Sequence, residues 1–152
     1  MDNQVLIHFE DFGFQYTAQS KPTLYNINLQ IRKGEKILIA GPSGCGKSTL
    51  AHCINGLAPN SYPGKSTGAL TVNGQDAQKL GLFGLSKTVG TVLQDSDGQF
   101  IGLTVAEDLA FALENDCIPT GQIHQEVQRI ADLVDVTQVL KHAPHEISGG
   151  QK

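Results

Sequence analysis

The chain has few arginines, few cysteines and no long apolar run, and each shortage excludes something. Arg32 and Arg129 are its two arginines in 152 residues, and 11 Lys+Arg stand against 15 Asp+Glu for a net charge of -4. A mildly acidic chain lacks the basic surface that neutralises nucleic-acid phosphates, so no nucleic-acid partner is expected. No stretch approaches the ~18 apolar residues that cross a bilayer. The opening MDNQVLIHFEDF has no basic segment ahead of an apolar one, so no secretory signal is expected. Three cysteines at irregular spacings argue against a disulfide framework and for a reducing compartment. Five histidines show no paired ligand spacing, so no structural zinc site is expected either. Hydrophobic residues make up 39%, enough for one domain of ordinary size. What is plentiful is glycine, 17 residues in clusters.

Residues Val5 to Tyr16 alternate apolar and polar and carry aromatics, the pattern of a strand with one buried face, and Leu24 to Ile31 alternates again. Ile37 to Ala40 is an unbroken apolar run, which predicts a strand buried on both faces of a parallel sheet. A helix is predicted from the glycine cluster that follows up to Gly56. Residues 58 to 68, with two prolines and two glycines, read as a loop. Short strands are predicted at Gly68 to Gly74, ended by the turn pair Asn73-Gly74, and at Val89 to Gln94. Thr104-Val105-Ala106-Glu107 is a capping box that starts a helix running to about Leu113. Apolar residues at Ile123, Val127, Ile130, Ala131 and Val134 predict another helix from Gly121.

Gly41-Pro42-Ser43-Gly44-Cys45-Gly46-Lys47-Ser48 fits the pattern G-x-x-x-x-G-K-[ST], and Thr49 follows it. A predicted strand leads in and a predicted helix leads out, which is the arrangement phosphate binding requires. Several backbone N–H groups must converge on the phosphate oxygens, and glycines let the chain wrap that tightly. Lys47 is then expected to reach the β- and γ-phosphates of a triphosphate and the Ser48 hydroxyl to ligate Mg²⁺. Cys45 is read as a small residue inside the loop.

The remaining motifs resemble the ATP-binding subunits of ABC transporters over essentially the whole chain. Ser148-Gly149-Gly150-Gln151 is similar to the family's signature, which caps ATP held by the opposite subunit. Gln94 matches the Q-loop glutamine, which the resemblance places near Mg²⁺ and the attacking water. Tyr16 matches the aromatic that stacks on adenine. The stretch from Gln94 to Asp108 resembles the energy-coupling-factor branch, importers of vitamins and transition metals, with Ser96 in place of the usual proline and Gly98 in place of asparagine. Asp97 and Gln99 are expected near the groove for a transmembrane coupling protein, and Asp95 as a solvated polar residue.

The resemblance therefore implies an α/β P-loop NTPase core with an N-terminal antiparallel β-subdomain (about 1–94 with the P-loop core) and an α-helical subdomain (about 95–152). It implies a head-to-tail partnership with a second ATPase subunit on the cytoplasmic face of a membrane. In the family, the Walker B strand with its Mg²⁺-binding aspartate and catalytic glutamate follows the signature. Residues 1–152 end before it, so they are expected to bind nucleotide without hydrolysing it. The alternatives are an ABC ATPase of another import class and a nucleotide-binding regulatory module without turnover.

Overall fold

The computed structural model describes residues 4–95 and 97–152, and of Asp97 only the backbone. The chain divides into two units, Met1–Thr91 and Val92–Lys152.

The first unit is built on a four-stranded antiparallel sheet in the order β2-β1-β3-β4. β1 (Val5–Tyr16) lies at its centre, paired with β2 (Leu24–Arg32) on one side and β3 (Gly64–Val72) on the other. β4 is the two residues Gln75–Asp76, returned by Asn73-Gly74, both with positive φ as a tight hairpin requires. Phe9 and Phe12 are both buried although they are three residues apart, which simple alternation forbids. A bulge resolves this. The register with β2 shifts between Phe9 and Phe12, and Asp11 takes a φ of 43°. Asn28 holds the bulge, its Oδ1 accepting from the Asp11 N–H at 3.0 Å and its Nδ2 donating to Asp11 Oδ1 at 3.0 Å. The extra residue re-aims the rest of the strand, so Phe12 and Phe14 face the same core as Phe9.

That core is closed by α1 (Lys47–Ile54), α2 (Leu57–Asn60) and α3 (Ala77–Ser86). Leu50 and Cys53 of α1, Ala58 of α2 and Leu85 of α3 pack with Phe9, Phe12, Phe14, Leu24 and Leu70. Asp76 caps α3 by accepting from the N–H groups of Gln78 at 2.8 Å and Lys79 at 3.2 Å.

Three expectations are corrected here. Residues 37–40 form no strand: Ile37, Leu38 and Ile39 are 48%, 90% and 42% exposed. Residues 89–94 form none either, with Val92 90% exposed. An apolar strand depends on a ladder partner for its backbone and a covering layer for its faces. Among the described residues neither segment pairs with a neighbouring strand. Residues 58–68 are not a plain loop, since they carry part of α2 and the first half of β3. There, Gly64, Lys65, Ser66 and Thr67 pair with Tyr16, Gln15, Phe14 and Gly13. Cross-strand bonding to a strong neighbour overrides their weak strand propensity.

The second unit holds α4 (Val105–Asn115) and α5 (Thr120–Leu133). The Thr104 hydroxyl accepts from the Glu107 N–H at 3.2 Å while Glu107 Oε2 accepts from the Thr104 N–H at 3.2 Å, the expected capping box. Ala110 of α4 packs with Ile123 and Val127 of α5. Val105 and Ala131 pack with Val136 and Ile147 of the segment that follows.

Candidate functional site: a phosphate cradle

Residues 41–46 lead from segment 37–40 into α1 by way of two glycines in the left-handed region, Gly44 at φ 81° and Gly46 at φ 99°. Gly46 also lies against the loop before β2: a Cβ there would stand 2.9 Å from Leu24 Cδ2 and 3.2 Å from the Thr23 carbonyl oxygen. Both the dihedral and the contact restrict this position to glycine. No side chain caps α1, and no acidic residue stands in its first turn. The amide end of the helix is therefore left for an external anion, with the positive end of its dipole behind it.

Lys47 is the first residue of α1. Its Nζ donates to the carbonyl oxygens of Gly41 at 2.8 Å and Pro42 at 2.7 Å, and lies 3.7 Å from Cys45 Sγ. The ammonium thus stands over the loop it belongs to. Ser43 and Gly44 form the turn beneath it, and Ser48 is exposed in the first turn of the helix. Thr49 is buried, and its hydroxyl pairs with the Tyr16 hydroxyl at 2.9 Å. Glycine amides, a helix N-terminus and one fixed cation form a donor set suited to a polyphosphate. Among the described residues no three His, Cys, Asp or Glu side chains gather as a metal site. The exposed Ser48 hydroxyl is an oxygen donor of the kind a hard divalent cation takes.

In the second unit, Gln94 is exposed at a bend. The loop around it is stitched by Gln99, whose Oε1 accepts from the Leu93 N–H at 3.3 Å and whose Nε2 donates to the Asp95 carbonyl at 3.0 Å. Asp95 is exposed and its Oδ1 accepts from the Gly98 N–H at 3.2 Å. Ser96 and the Asp97 side chain lie outside the described residues. Ser148 opens a final turn in which its own N–H and hydroxyl both donate to Gln151 Oε1 at 3.1 Å. Ser148, Gly149 and Gly150 are exposed. That arrangement is half of a capping box, the local structure of a helix start.

Two contacts escaped the sequence reading. Asp108 Oδ1 accepts from the N–H groups of Ile101 at 2.9 Å and Gly102 at 3.1 Å, fixing the loop that leads into α4. An acid one residue past the capping-box glutamate is a usable signal for such a loop clamp. The Tyr16–Thr49 pair has no signal in the sequence, since 33 residues separate its members.

A glycine loop with its lysine at the head of a helix is the mark of the P-loop class of nucleotide-binding folds. Within that class the chain belongs to the ABC transporter family, whose pattern matches residues 24–152. It is 56% identical over 146 residues to a candidate ABC transporter ATP-binding protein of Streptococcus mutans, covering 96% of this chain and 26% of that protein. A counterpart in Enterococcus faecalis is 58% identical over 147 residues, covering 97% of this chain and 26% of the relative. The chain thus spans about a quarter of the length of these relatives. Among solved structures, CbiO1 of Clostridium perfringens, described as part of the ABC transporter complex CbiONQ, superposes with a TM-score of 0.82 at 25% identity. That likeness covers 97% of this chain and 57% of CbiO1. The fold is that of an ABC ATPase, of which these residues form an N-terminal part.

Proposed function

We propose that this chain is the nucleotide-binding portion of the ATPase subunit of an energy-coupling-factor-type importer, driving uptake of a vitamin or a transition-metal ion. The observation that carries nucleotide binding is the cradle: Lys47 Nζ held over the Gly41–Gly46 loop at the uncapped end of α1. The likeness to CbiO1, a part of CbiONQ, supports the importer class.

In this reading the loop amides and Lys47 bind the β- and γ-phosphates, Ser48 holds Mg²⁺, and Tyr16 stacks on adenine. Mg·ATP supplies a phosphoryl group whose transfer to water releases the energy for transport, and the protein's part is positioning and charge neutralisation. Gln94, exposed at a bend, takes the role of the family's Q-loop glutamine. Ser148, Gly149, Gly150 and Gln151 offer amides and a hydroxyl to the nucleotide of a second ATPase subunit arranged head to tail. The loop around Gln94 meets the transmembrane coupling protein, which places the subunit on the cytoplasmic face of the membrane. The catalytic carboxylate is assigned to a segment outside residues 1–152.

The test is labelled uptake in cells whose chromosomal gene carries Lys47→Ala, scored across B-vitamins and the divalent ions of cobalt and nickel. Loss of uptake of one of them is expected. Unchanged uptake across the panel would overturn the importer reading.

A further inference from the structure

The Tyr16 side chain is mounted more firmly than a stacking surface requires. Its hydroxyl pairs with Thr49 Oγ1 at 2.9 Å. Its ring is met edge-on by Phe14, with centroids 5.0 Å apart and planes at 88°. Phe14 is 1% exposed, and its ring lies over Gly64, the β3 residue paired with Tyr16, where a Cβ would overlap Phe14 Cζ. The backbone is fixed as well: the Gln19 N–H donates to the Tyr16 carbonyl at 3.0 Å, and the Thr23 N–H to that of Phe14 at 2.9 Å. A ring that only stacks on a base has no use for a hydroxyl, and phenylalanine would serve. A buried threonine hydroxyl, by contrast, needs a partner, and Thr49 at 6% exposure has this one.

Thr49 sits next to Ser48 in the first turn of α1, two residues past Lys47. The hydroxyl pair therefore ties the end of β1 to the helix that presents the phosphate-binding groups. We infer that the Tyr16 hydroxyl is a positioning group that, through Thr49, locks the base-stacking ring in register with the phosphate cradle. Base and polyphosphate are then bound as one preorganised unit, with the orientation of the ring paid for in folding and not at each binding event. The inference rests on the nucleotide reading above and adds to it the hydroxyl and its partner.

The experiment compares Mg·ATP with inorganic tripolyphosphate, which fills the cradle and lacks a base, by calorimetry on the full-length protein. Tyr16→Phe is expected to reduce the preference for ATP over tripolyphosphate by about 2- to 10-fold, the effect of losing one neutral hydrogen bond. Thr49→Val should reduce it by the same factor, Tyr16→Phe/Thr49→Val no further, and Thr49→Ser should retain the wild-type preference. A wild-type preference in Tyr16→Phe would overturn the inference, because the ring alone would then suffice. Independent, multiplying effects of the two substitutions would overturn it too, as would equal weakening of both ligands, which marks a purely structural role. Failure of the wild-type protein to bind either ligand would remove the nucleotide reading, and this inference with it.

Discussion

The Lys47 ammonium donates to the Pro42 carbonyl at 2.7 Å and to the Gly41 carbonyl at 2.8 Å, so the cation that should meet phosphate also closes its own loop. Each carbonyl carries only a partial charge, whereas a phosphate oxygen carries a formal one and makes the stronger, charge-assisted bond. Lys47→Ala removes both the loop contacts and the phosphate contact. Its expected cost in Mg·ATP affinity is ~1–3 kcal/mol, or several-fold to hundreds-fold. Calorimetry on the full-length protein measures it directly, and equal affinity for the two proteins would contradict the phosphate role.

The loop before α4 offers a test that involves no ligand. Gly102 passes so close to α4 that a Cβ would overlap the Asp108 amide nitrogen, and Asp108 Oδ1 takes the N–H groups of Ile101 and Gly102. Gly102→Ala is expected to destabilise the second unit by ~1–3 kcal/mol through forced displacement of the loop. Asp108→Ala should cost somewhat less, because Ile101 is exposed and water can replace part of what is lost. Urea unfolding followed by circular dichroism reads both, and no loss in Gly102→Ala would mean that the loop is not held there.

The elements legible in the sequence are those whose signal is local. β1 runs over the whole predicted span because alternation and aromatics coincide from Val5 to Tyr16. The capping box marks the start of α4 to the residue, since Thr104 and Glu107 satisfy each other without help from elsewhere. Ile37 to Ala40 misled because an apolar run records that a segment is made for burial and not what would cover it. α3 was hidden for the opposite reason: Gly81 and Gly84 dilute its helical pattern, and Gly81 breaks it at φ 63°. In the cradle, spacing alone singles out Gly41 to Ser48 as one unit. The anchoring of Tyr16 on Thr49 is a tertiary fact that no local pattern encodes.

Cysteine chemistry separates the three thiols. Cys53 is 4% exposed in the core beside Phe14 and Leu85, and burial pushes its thiol up to about 12. The neutral form is the one favoured in the fold, so Cys53 should stay unmodified by a maleimide at pH 8, while exposed Cys45 and Cys117 react. The pH dependence has a fixed sign. A raised folded value means that the folded chain keeps a proton the unfolded chain has released, so this contribution is full below about 9 and declines as pH rises toward 12. Mass spectrometry of labelled peptides checks the first statement, and fast labelling of Cys53 under native conditions would contradict it.

The two apolar segments without ladder partners make the last prediction. Leu38 is 90% exposed between Ile37 and Ile39, and Val92 is 90% exposed beside Leu93, each in a stretch that pairs with no strand among the described residues. Such a segment is a template for another chain, because pairing satisfies its N–H and C=O groups and covers its side chains together. A polypeptide of residues 1–152 is therefore expected to self-associate, with a weight-average sedimentation coefficient that rises with concentration. Leu38→Lys and Val92→Lys should each reduce that rise and together abolish it, since a charge on the pairing strand must be desolvated when the strands meet. Far-ultraviolet circular dichroism should leave both variants with the same helix content as the parent, because neither residue lies in a helix or in the four-stranded sheet. A monomer across the whole concentration range would show that these segments are shielded in solution. Association undiminished in the double variant would move the contact to another surface, with Phe83, 76% exposed on α3, as the next position to charge.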